Sequence, residues 1–340
     1  MVGGKRSLDP AHVIYNARIR HTEKDMSNLF PFRLQPWFRT RIWGFHDLAP
    51  WYDYKTEGEP IGEVWLTGEM CLAGTGPLAG QSLKDITAAH GPELLGRHYG
   101  KGEFPLLIKL LFPKEKLSVQ VHPDDAMAQK YGEPRGKTEC WYALDAKPGA
   151  TVALGIKPGM TAEKIREGIV KGTLEDMLVM VPVEKGDLLY VDAGTVHAMG
   201  PGVVILETQQ TSDLTYRMYD YGRPRELHLE KSFEAMRMKT RAGKIAPRAV
   251  NGHSVLIDEK YFEIERWPLE AAKPASGIVE ETGGLQILFV QEGKIRISAK
   301  GGDTFTVNRC ELAVVPASSG GVQVEAEQAS TVVRIQPREV

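Results

Sequence analysis

The sequence predicts an all-β protein with a few helices, built from two β domains. Short apolar runs recur from Pro31 onward, and 35 glycines and 21 prolines separate them. Strands of this length with frequent turns are typical of a sandwich or barrel. Helical spacing is confined to a few stretches, and 340 residues are enough for two domains.

The strand predictions rest on apolar runs that end at turn residues. In chain order they are PLLIKLLF, KLSVQVH, ECWYAL, TVALGI, DLLYVDA, GVVILETQQ and LTYRMYDY. After residue 250 the strands and turns continue almost without interruption, in LQILFVQEGKIRISA, DTFTVNRCELAVVPASSGGVQVEA and STVVRIQP. Asp124 and Asp125, directly after the second run, are interpreted as turn residues.

Three helices are predicted. The stretch SLKDITAAHGPELLGRHYG begins with Ser82 as an N-cap and Asp85 three residues later, a start that resembles a capping box. TAEKIREGIVKGTLEDMLVM places Ile165 and Ile169 at helical spacing, and ELHLEKSFEAMRMK is the third candidate.

Three parts of the chain are distinguished. Residues 1–28 are polar and mixed in charge, and we interpret them as an N-terminal arm. Residues 29–240 form the first, larger β domain with the helical segments. The basic, weakly apolar stretch KTRAGKIAPRAV at 239–250 is interpreted as a linker, and residues 241–340 form the smaller C-terminal β domain.

Composition excludes several classes of partner. With 42 basic and 44 acidic residues, the chain gives no reason to expect a nucleic-acid or membrane partner. No apolar run reaches the roughly 18 residues of a membrane helix, and the first residues lack the apolar core of a signal peptide. The three cysteines are far apart and odd in number, so they form neither a zinc-ligand pair nor a disulfide framework, and a reducing, cytoplasmic location is expected. The oligomeric state is left open.

Four scattered residues form a candidate metal site. Gln120 and His122 lie in LSVQVHPDD, Glu139 in GKTECWY and His197 in GDLLYVDAGTVHAMG. Gln120 and His122 are two residues apart, so an extended chain places both on one face. Two imidazoles, a carboxylate and an amide oxygen suit one divalent ion, zinc first.

Each candidate also has a structural interpretation. His197 taken alone is compatible with a histidine of a turn, and His122 before Pro123 with a strand end. Glu139 lies in an apolar strand, where a carboxylate is costly unless it is paired, hydrogen-bonded or metal-bound. Alternation places Glu139 on one face and Cys140 on the other. Lys109 within PLLIKLLF is either a residue at a strand edge or an inward-facing functional cation.

The segment GDLLYVDAGTVHAMG resembles the second half-motif of the cupin jelly roll, with Asp192 where the motif usually has proline. With RIWG (41–44), IGEVW (61–65), LLIKLL, LSVQVHPDD, GKTECWY, AGTVHAMGPG and ETQQTSDLTYRMYDYGR, the chain resembles type I phosphomannose isomerases over roughly residues 30–230. The resemblance implies two cupin-type jelly-roll domains, the second without metal ligands.

The resemblance also implies roles for individual residues. The metal ligands would be Gln120, His122, Glu139 and His197, with one divalent ion per chain, most simply Zn²⁺. The sugar would be surrounded by Lys137, Glu207 and Arg217, and its phosphate bound by Lys109 and Ser118. Two departures from the family are visible: no room for an inserted helical domain, and Met199 where some members have tyrosine.

The implied activity interconverts mannose 6-phosphate and fructose 6-phosphate by moving a proton between C1 and C2 of the open-chain sugar. Glu207, Lys137 and a metal-bound water are all candidates for the base, and Arg217 is assigned to the enediolate or the phosphate. Two alternatives remain at the level of sequence: an Fe(II) cupin oxygenase, and a cupin that binds sugar phosphates without catalysis.

Overall fold

The computed structural model describes residues 28–97, 102–275, 277–279 and 283–338. Of the predicted N-terminal arm, residues 1–27 lie outside these ranges. Within them the chain is mainly antiparallel β-sheet with four α-helices, which confirms the predicted all-β class with a few helices. The division into two jelly-roll domains stays a prediction. No described helix is long and apolar enough to cross a membrane.

The twelve strands between Trp37 and Ile245 form two sheets. Their bounds are β2 Trp37–Phe45, β3 Ile61–Trp65, β4 Leu106–Leu111, β5 Val119–Val121, β6 Glu139–Ala146, β7 Thr151–Ile156, β8 Leu178–Pro182, β9 Leu188–Val191, β10 His197–Met199, β11 Val203–Gln210, β12 Tyr216–Tyr219 and β13 Gly243–Ile245. Sheet I has the order β13-β9-β6-β11-β4-β3-β2, and sheet II has the order β12-β5-β10-β7-β8.

The remaining strands form two further sheets. Their bounds are β1 Phe32–Leu34, β14 Arg248–Val250, β15 His253–Asp258, β16 Phe262–Leu269, β17 Gln286–Glu292, β18 Lys294–Ala299, β19 Phe305–Asn308, β20 Leu312–Val315, β21 Val322–Ala326 and β22 Ser330–Pro337. Sheet III has the order β1-β20-β17-β22-β16-β15-β14, and sheet IV is β19-β18-β21.

The four sheets pack on one another in the order II–I–III–IV, with apolar side chains between neighbouring sheets. Trp141 and Leu154 belong to the core between sheets I and II, and Leu288 and Ile297 to that between sheets III and IV. The largest core joins sheets I and III and contains Cys140. Because both faces of sheet I are buried at β4, this strand is apolar at every position except Lys109.

The predicted linker forms strands instead of an irregular connection. β13 pairs with β9 in sheet I, and β14 pairs with β15 in sheet III. At the other end, β1 pairs with β20, so a strand from the beginning of the described chain completes the C-terminal sheet. The boundaries at residues 28 and 240 stay predictions.

The helices are α1 Leu83–Leu95, α2 Asp125–Lys130, α3 Ala162–Lys171 and α4 Leu229–Ala235. Ser82 caps α1 as predicted, because its hydroxyl accepts the Asp85 N–H. Gly172, in a left-handed conformation, ends α3 before a separate 3₁₀ turn, where one helix was expected. The turn interpretation of Asp124 and Asp125 was wrong: the Asp124 carboxylate caps α2 by accepting the Met127 N–H.

Candidate metal centre and substrate pocket

Three of the four predicted ligands meet between sheets I and II. Glu139 begins β6, His197 begins β10 and His122 follows β5. Glu139 Oε2 lies 3.6 Å from His122 Nε2, and Oε1 lies 3.5 Å from His197 Nε2. All three side chains are buried, and one ligand atom from each lies within 4.8 Å of the others.

Both imidazoles present an unprotonated nitrogen to this centre. Nδ1 of His122 lies 2.7 Å from the Leu214 carbonyl, and Nδ1 of His197 lies 2.9 Å from the Thr195 carbonyl. A carbonyl oxygen only accepts, so each Nδ1 carries the proton and each Nε2 has a free lone pair. Burial lowers the pKa of His197 to about 4, and burial with the nearby Lys137 cation holds the pKa of His122 well below its ordinary value.

The Glu139 carboxylate fits a metal ligand for a specific reason. Its Oε1 is fully buried and accepts no hydrogen bond. Leaving a buried carboxylate oxygen without a donor is costly, and a coordinated cation would remove that cost. The set of two neutral imidazoles and one carboxylate also suits a borderline divalent metal. These residues therefore fit the ion that the sequence predicted.

Gln120 lies beside this group but presents its amide nitrogen. Nε2 is 3.2 Å from His197 Nε2, while Oε1 accepts the Ser118 hydroxyl at 3.2 Å. The two ends of an amide are almost isosteric, and a half-turn about the last torsion would exchange them. Gln120 as a fourth ligand stays a prediction.

Lys137 lies against the ligand atoms. Its Nζ is 2.9 Å from Glu139 Oε2 and 3.1 Å from His122 Nε2. Burial by itself would lower the pKa of Lys137, but the carboxylates of Glu139 and Glu207 raise it above its ordinary value. Lys137 is therefore an ammonium ion that can donate hydrogen bonds beside the centre.

A second buried ion pair lies on β11, the strand next to β6, and on its other neighbour β4. Lys109 on β4 and Glu207 on β11 are cross-strand neighbours, and Lys109 Nζ is 3.1 Å from Glu207 Oε2. The other carboxylate oxygen accepts the Trp141 indole N–H at 3.1 Å. Of the two interpretations of Lys109, the structure supports the inward-facing cation, since β4 is a central strand and Lys109 is buried.

These residues line a cavity of about 390 Å³, which is within the size range of small-molecule sites. The lining of this cavity includes every residue that the sequence predicted to contact the substrate. The lining consists of Arg41, Trp43, Glu63, Lys109, Leu111, Leu117, Ser118, Gln120, Lys137, Glu207, Asp213, Thr215, Arg217 and Arg225.

Arg217 differs from the other cations that line the cavity. Lys109 and Lys137 are paired with glutamates, Arg41 binds Glu63 through two nitrogens, and Arg225 binds Asp220 in the same way. Among the described residues Arg217 has no carboxylate partner. One of its terminal nitrogens donates to the Glu226 carbonyl at 2.8 Å, and its buried Nε donates to no acceptor.

The sequence prediction missed Arg41, Glu63, Asp213 and Arg225. Glu63 had the same signal as Glu139, a carboxylate inside an apolar strand, IGEVW. Burial would raise its pKa, but Lys109 and Arg41 lower it to about 2, so Glu63 is ionised. For Arg41, Asp213 and Arg225 no such signal existed, because their position depends on how sheets I and II face each other.

Outside this centre, the described residues contain no other such group of histidine, cysteine and acidic side chains. His253, in sheet III, stacks on Trp267 with ring centroids 4.0 Å apart. The absence of a metal from the C-terminal sheets stays a prediction.

The sequence and fold of this chain are similar to those of known proteins. The family model for the catalytic domain of type I phosphomannose isomerase matches residues 31–161. The mannose-6-phosphate isomerase of Streptococcus mutans is 33% identical over 299 residues, which is 84% of this chain and 92% of the relative. One mannose-6-phosphate isomerase of Bacillus subtilis is 35% identical over 78% of this chain and 87% of its own length.

The solved structures agree in fold. The crystal structure of a Bacillus subtilis mannose 6-phosphate isomerase superimposes with a TM-score of 0.80 at 30% identity, covering 90% of this chain and 99% of that one. A mannose 6-phosphate isomerase solved as a zinc-bound holo form, at 16% identity, gives a TM-score of 0.74 over 91% of this chain and 100% of that one.

Proposed function

The chain belongs to the type I phosphomannose isomerase family, and we propose how the residues of its pocket interconvert mannose 6-phosphate and fructose 6-phosphate. The observation that carries the proposal is the buried Glu139 oxygen without a donor, facing two neutral imidazoles. A divalent ion held there by His122, Glu139 and His197 would polarise the sugar carbonyl and stabilise the enediolate. We propose one Zn²⁺ per chain, with Gln120 as the fourth ligand.

The proton transfer needs one group that accepts and one that donates. Glu207 lines the pocket as a carboxylate, so we assign it as the group that takes the proton from C1 or C2 and returns it. Lys137, an ammonium paired with Glu139, supplies hydrogen bonds to the sugar oxygens as negative charge develops on them.

The phosphate needs a cation and hydrogen-bond donors. We assign it to Lys109 and Ser118, as the family resemblance implies, and Arg217 to the enediolate. Lys109 is already paired with Glu207, and the Ser118 hydroxyl already donates to Gln120. Arg217 has no partner of opposite charge among the described residues, which makes it the second candidate for binding the phosphate. A guanidinium can bind either a phosphate or a planar oxyanion through two parallel N–H donors.

A cytoplasmic location fits the cysteines. Cys71, Cys140 and Cys310 are all buried free thiols in the described chain, as expected for a protein folded in a reducing compartment.

The experiment is a coupled assay that follows fructose 6-phosphate formed from mannose 6-phosphate. The purified protein is measured as isolated, after treatment with a chelator, and after addition of zinc. Activity should disappear on metal removal and return with zinc. An Fe(II) oxygenase would instead consume O₂, and a binding protein would show no turnover.

The ligand set is tested by substitution. His197→Ala should lose both zinc and activity, measured by elemental analysis and by the same assay, because one of the protein ligands is gone. His253→Ala is the matched control, since this histidine stacks on Trp267 in sheet III and should leave zinc and activity unchanged. A His197→Ala protein with a full equivalent of zinc would rule out the proposed ligands.

A further inference from the structure

One carboxylate joins two of the segments that carry the catalytic site. Asp125 lies three residues after His122 and is the first residue of α2. Its Oδ1 accepts the Gly136 N–H at 2.8 Å and the Gln210 side-chain amide at 3.0 Å. Asp125 therefore links the segment of His122 to the segment that leads into Lys137 and Glu139.

Gln210 extends this network to the catalytic segment itself. Its side-chain oxygen accepts the Thr138 N–H at 2.9 Å, and its own N–H donates to the Thr138 carbonyl at 3.1 Å. Lys137 donates its backbone N–H to the Pro123 carbonyl at 2.9 Å. The backbone from Gly136 to Thr138 is thus held from both sides, which fixes the direction of the Lys137 and Glu139 side chains.

The remaining oxygen of Asp125 is used by the C-terminal part of the molecule. Tyr261, in the turn between β15 and β16, donates its hydroxyl to Asp125 Oδ2 at 2.7 Å. This hydroxyl brings a turn of sheet III into the network that supports the centre between sheets I and II.

The same turn also reaches the segment of the other histidine. Glu259 forms an ion pair with Arg241, and the Arg241 backbone N–H donates to the carboxylate of Asp192. Asp192, where the cupin motif usually has proline, also accepts the Thr195 hydroxyl at 2.9 Å. The Thr195 carbonyl in turn accepts Nδ1–H of His197. The turn 259–261 therefore supports both histidine segments.

We propose that the β15–β16 turn is a positioning element of the active site, which acts through the Tyr261–Asp125 hydrogen bond on Lys137 and Glu139. The C-terminal sheets contribute to turnover through this contact. The inference rests on the proposed function, because it assumes that the site supported by Asp125 is the isomerase site. Asp125 and Tyr261 are positioning residues, since neither lines the substrate cavity.

The test compares Tyr261→Phe, Asp125→Ala and Asp125→Asn with the wild-type holoenzyme. Asp125→Ala should lower kcat by about 10- to 100-fold, the range found when residues that support metal ligands are replaced. KM for mannose 6-phosphate should stay within about twofold of wild type, because the residues that bind substrate are retained. Tyr261→Phe should lower kcat by about threefold to tenfold, as expected for one lost hydrogen bond to a charged group that acts indirectly.

Asp125→Asn provides the rescue. Asparagine keeps an oxygen for the Gly136 and Gln210 donors, and its amide can donate to the Tyr261 oxygen. It should therefore recover most of the kcat lost in Asp125→Ala. The control is Tyr52→Phe, which also removes a hydroxyl that joins the first sheets to the last, by donating to the Cys310 carbonyl at 2.7 Å in the core between sheets I and III. It should leave kcat unchanged.

A second measurement does not depend on turnover. Zinc affinity, measured by competition with a chelating dye, should fall by about tenfold in Asp125→Ala and remain near wild type in Tyr52→Phe. A wild-type protein without isomerase activity would overturn the proposed function but leave this comparison valid. The inference is overturned if Tyr261→Phe retains wild-type kcat, or if Asp125→Asn is as impaired as Asp125→Ala. If Asp125→Ala fails to fold, Tyr261→Phe decides the question.

Discussion

Most charged residues of the pocket occur as ion pairs, and this pairing determines what each of them can do. Lys109 with Glu207 and Lys137 with Glu139 are almost fully buried. A buried pair gives little net stability, but removing one partner leaves the other charge uncompensated in a medium of low polarity. Substitutions at these positions therefore affect folding as well as chemistry.

Lys109→Met should destabilise the protein by about 3–5 kcal/mol, because Glu207 would remain buried without its cation. The double variant Lys109→Met with Glu207→Gln should recover most of this loss, since a neutral amide needs no countercharge. Denaturant unfolding measures both effects. The double variant should stay inactive, because Glu207 is the proposed base. A single variant as stable as wild type would contradict the argument.

Arg217 lacks a carboxylate partner among the described residues, so its substitution should leave stability nearly unchanged. Arg217→Ala should lower kcat by about 10²–10³, the cost of losing a donor to a developing oxyanion. Arg217→Lys should recover little, because an ammonium lacks the planar fork. Steady-state kinetics and direct binding of a non-reactive sugar phosphate are the measurements.

Arg248→Ala, at an exposed position of β14, is the control for loss of a positive charge. If Arg217→Ala abolishes binding of the sugar phosphate while residual kcat stays near wild type, Arg217 binds the phosphate, and our assignment to the enediolate is wrong.

At the scale of single residues, the sequence predicted the features that follow from the alternation of side chains along a strand. Alternation along β6 placed Glu139 and Cys140 on opposite faces, and Cys140 indeed lies in the core between sheets I and III. Periodicity could not orient the Gln120 amide, since both orientations fit an extended strand. It also could not show that Arg217 lacks a carboxylate partner among the described residues, because ion pairs such as Lys109–Glu207 join residues that are far apart in the sequence.

At the scale of elements, the site depends on short segments with close backbone contacts. A Cβ atom on Gly136 would lie 2.6 Å from the Asp125 nitrogen and 2.6 Å from the Pro123 carbonyl oxygen. Only glycine allows the segment before Lys137 to pack this closely against the start of α2. Sequence reasoning missed this packing and α2 together, because Pro-Asp-Asp is a signal both for a turn and for the start of a helix.

Gly136→Ala should therefore separate the two segments that carry His122 and Glu139. We expect a loss of stability of about 1–3 kcal/mol from overpacking. We also expect a fall in kcat of about 10²-fold, the scale reported for small displacements of catalytic groups. Gly320→Ala is the matched control, since a Cβ there meets no atom within 4 Å. Normal kinetics in Gly136→Ala would show that the close packing is not required.

At the scale of the whole molecule, the apolar faces of sheets I and III determine how the two parts of the chain depend on each other. Tyr142 of sheet I and Phe289 of sheet III belong to one buried core. The sequence predicted two β domains from composition, but it could not predict this packing, because apolar strands look the same whichever sheet covers them. It also could not predict that β1 pairs with β20, since residues 32–34 precede every other strand.

Removal of the C-terminal strands should therefore cause aggregation instead of a clean kinetic defect. A fragment that ends at Ile245 would leave β1 without its neighbour β20 and expose the sheet I face that includes Leu106 and Tyr142. Light scattering and size-exclusion chromatography measure the outcome. The control is the full chain with a protease site inserted after Ala246, in the exposed connection between β13 and β14. After cleavage, both parts should stay associated and active, because the core between sheets I and III remains complete. A soluble fragment ending at Ile245 with normal isomerase activity would show that sheets I and II need neither the cover of sheet III nor the Tyr261 contact.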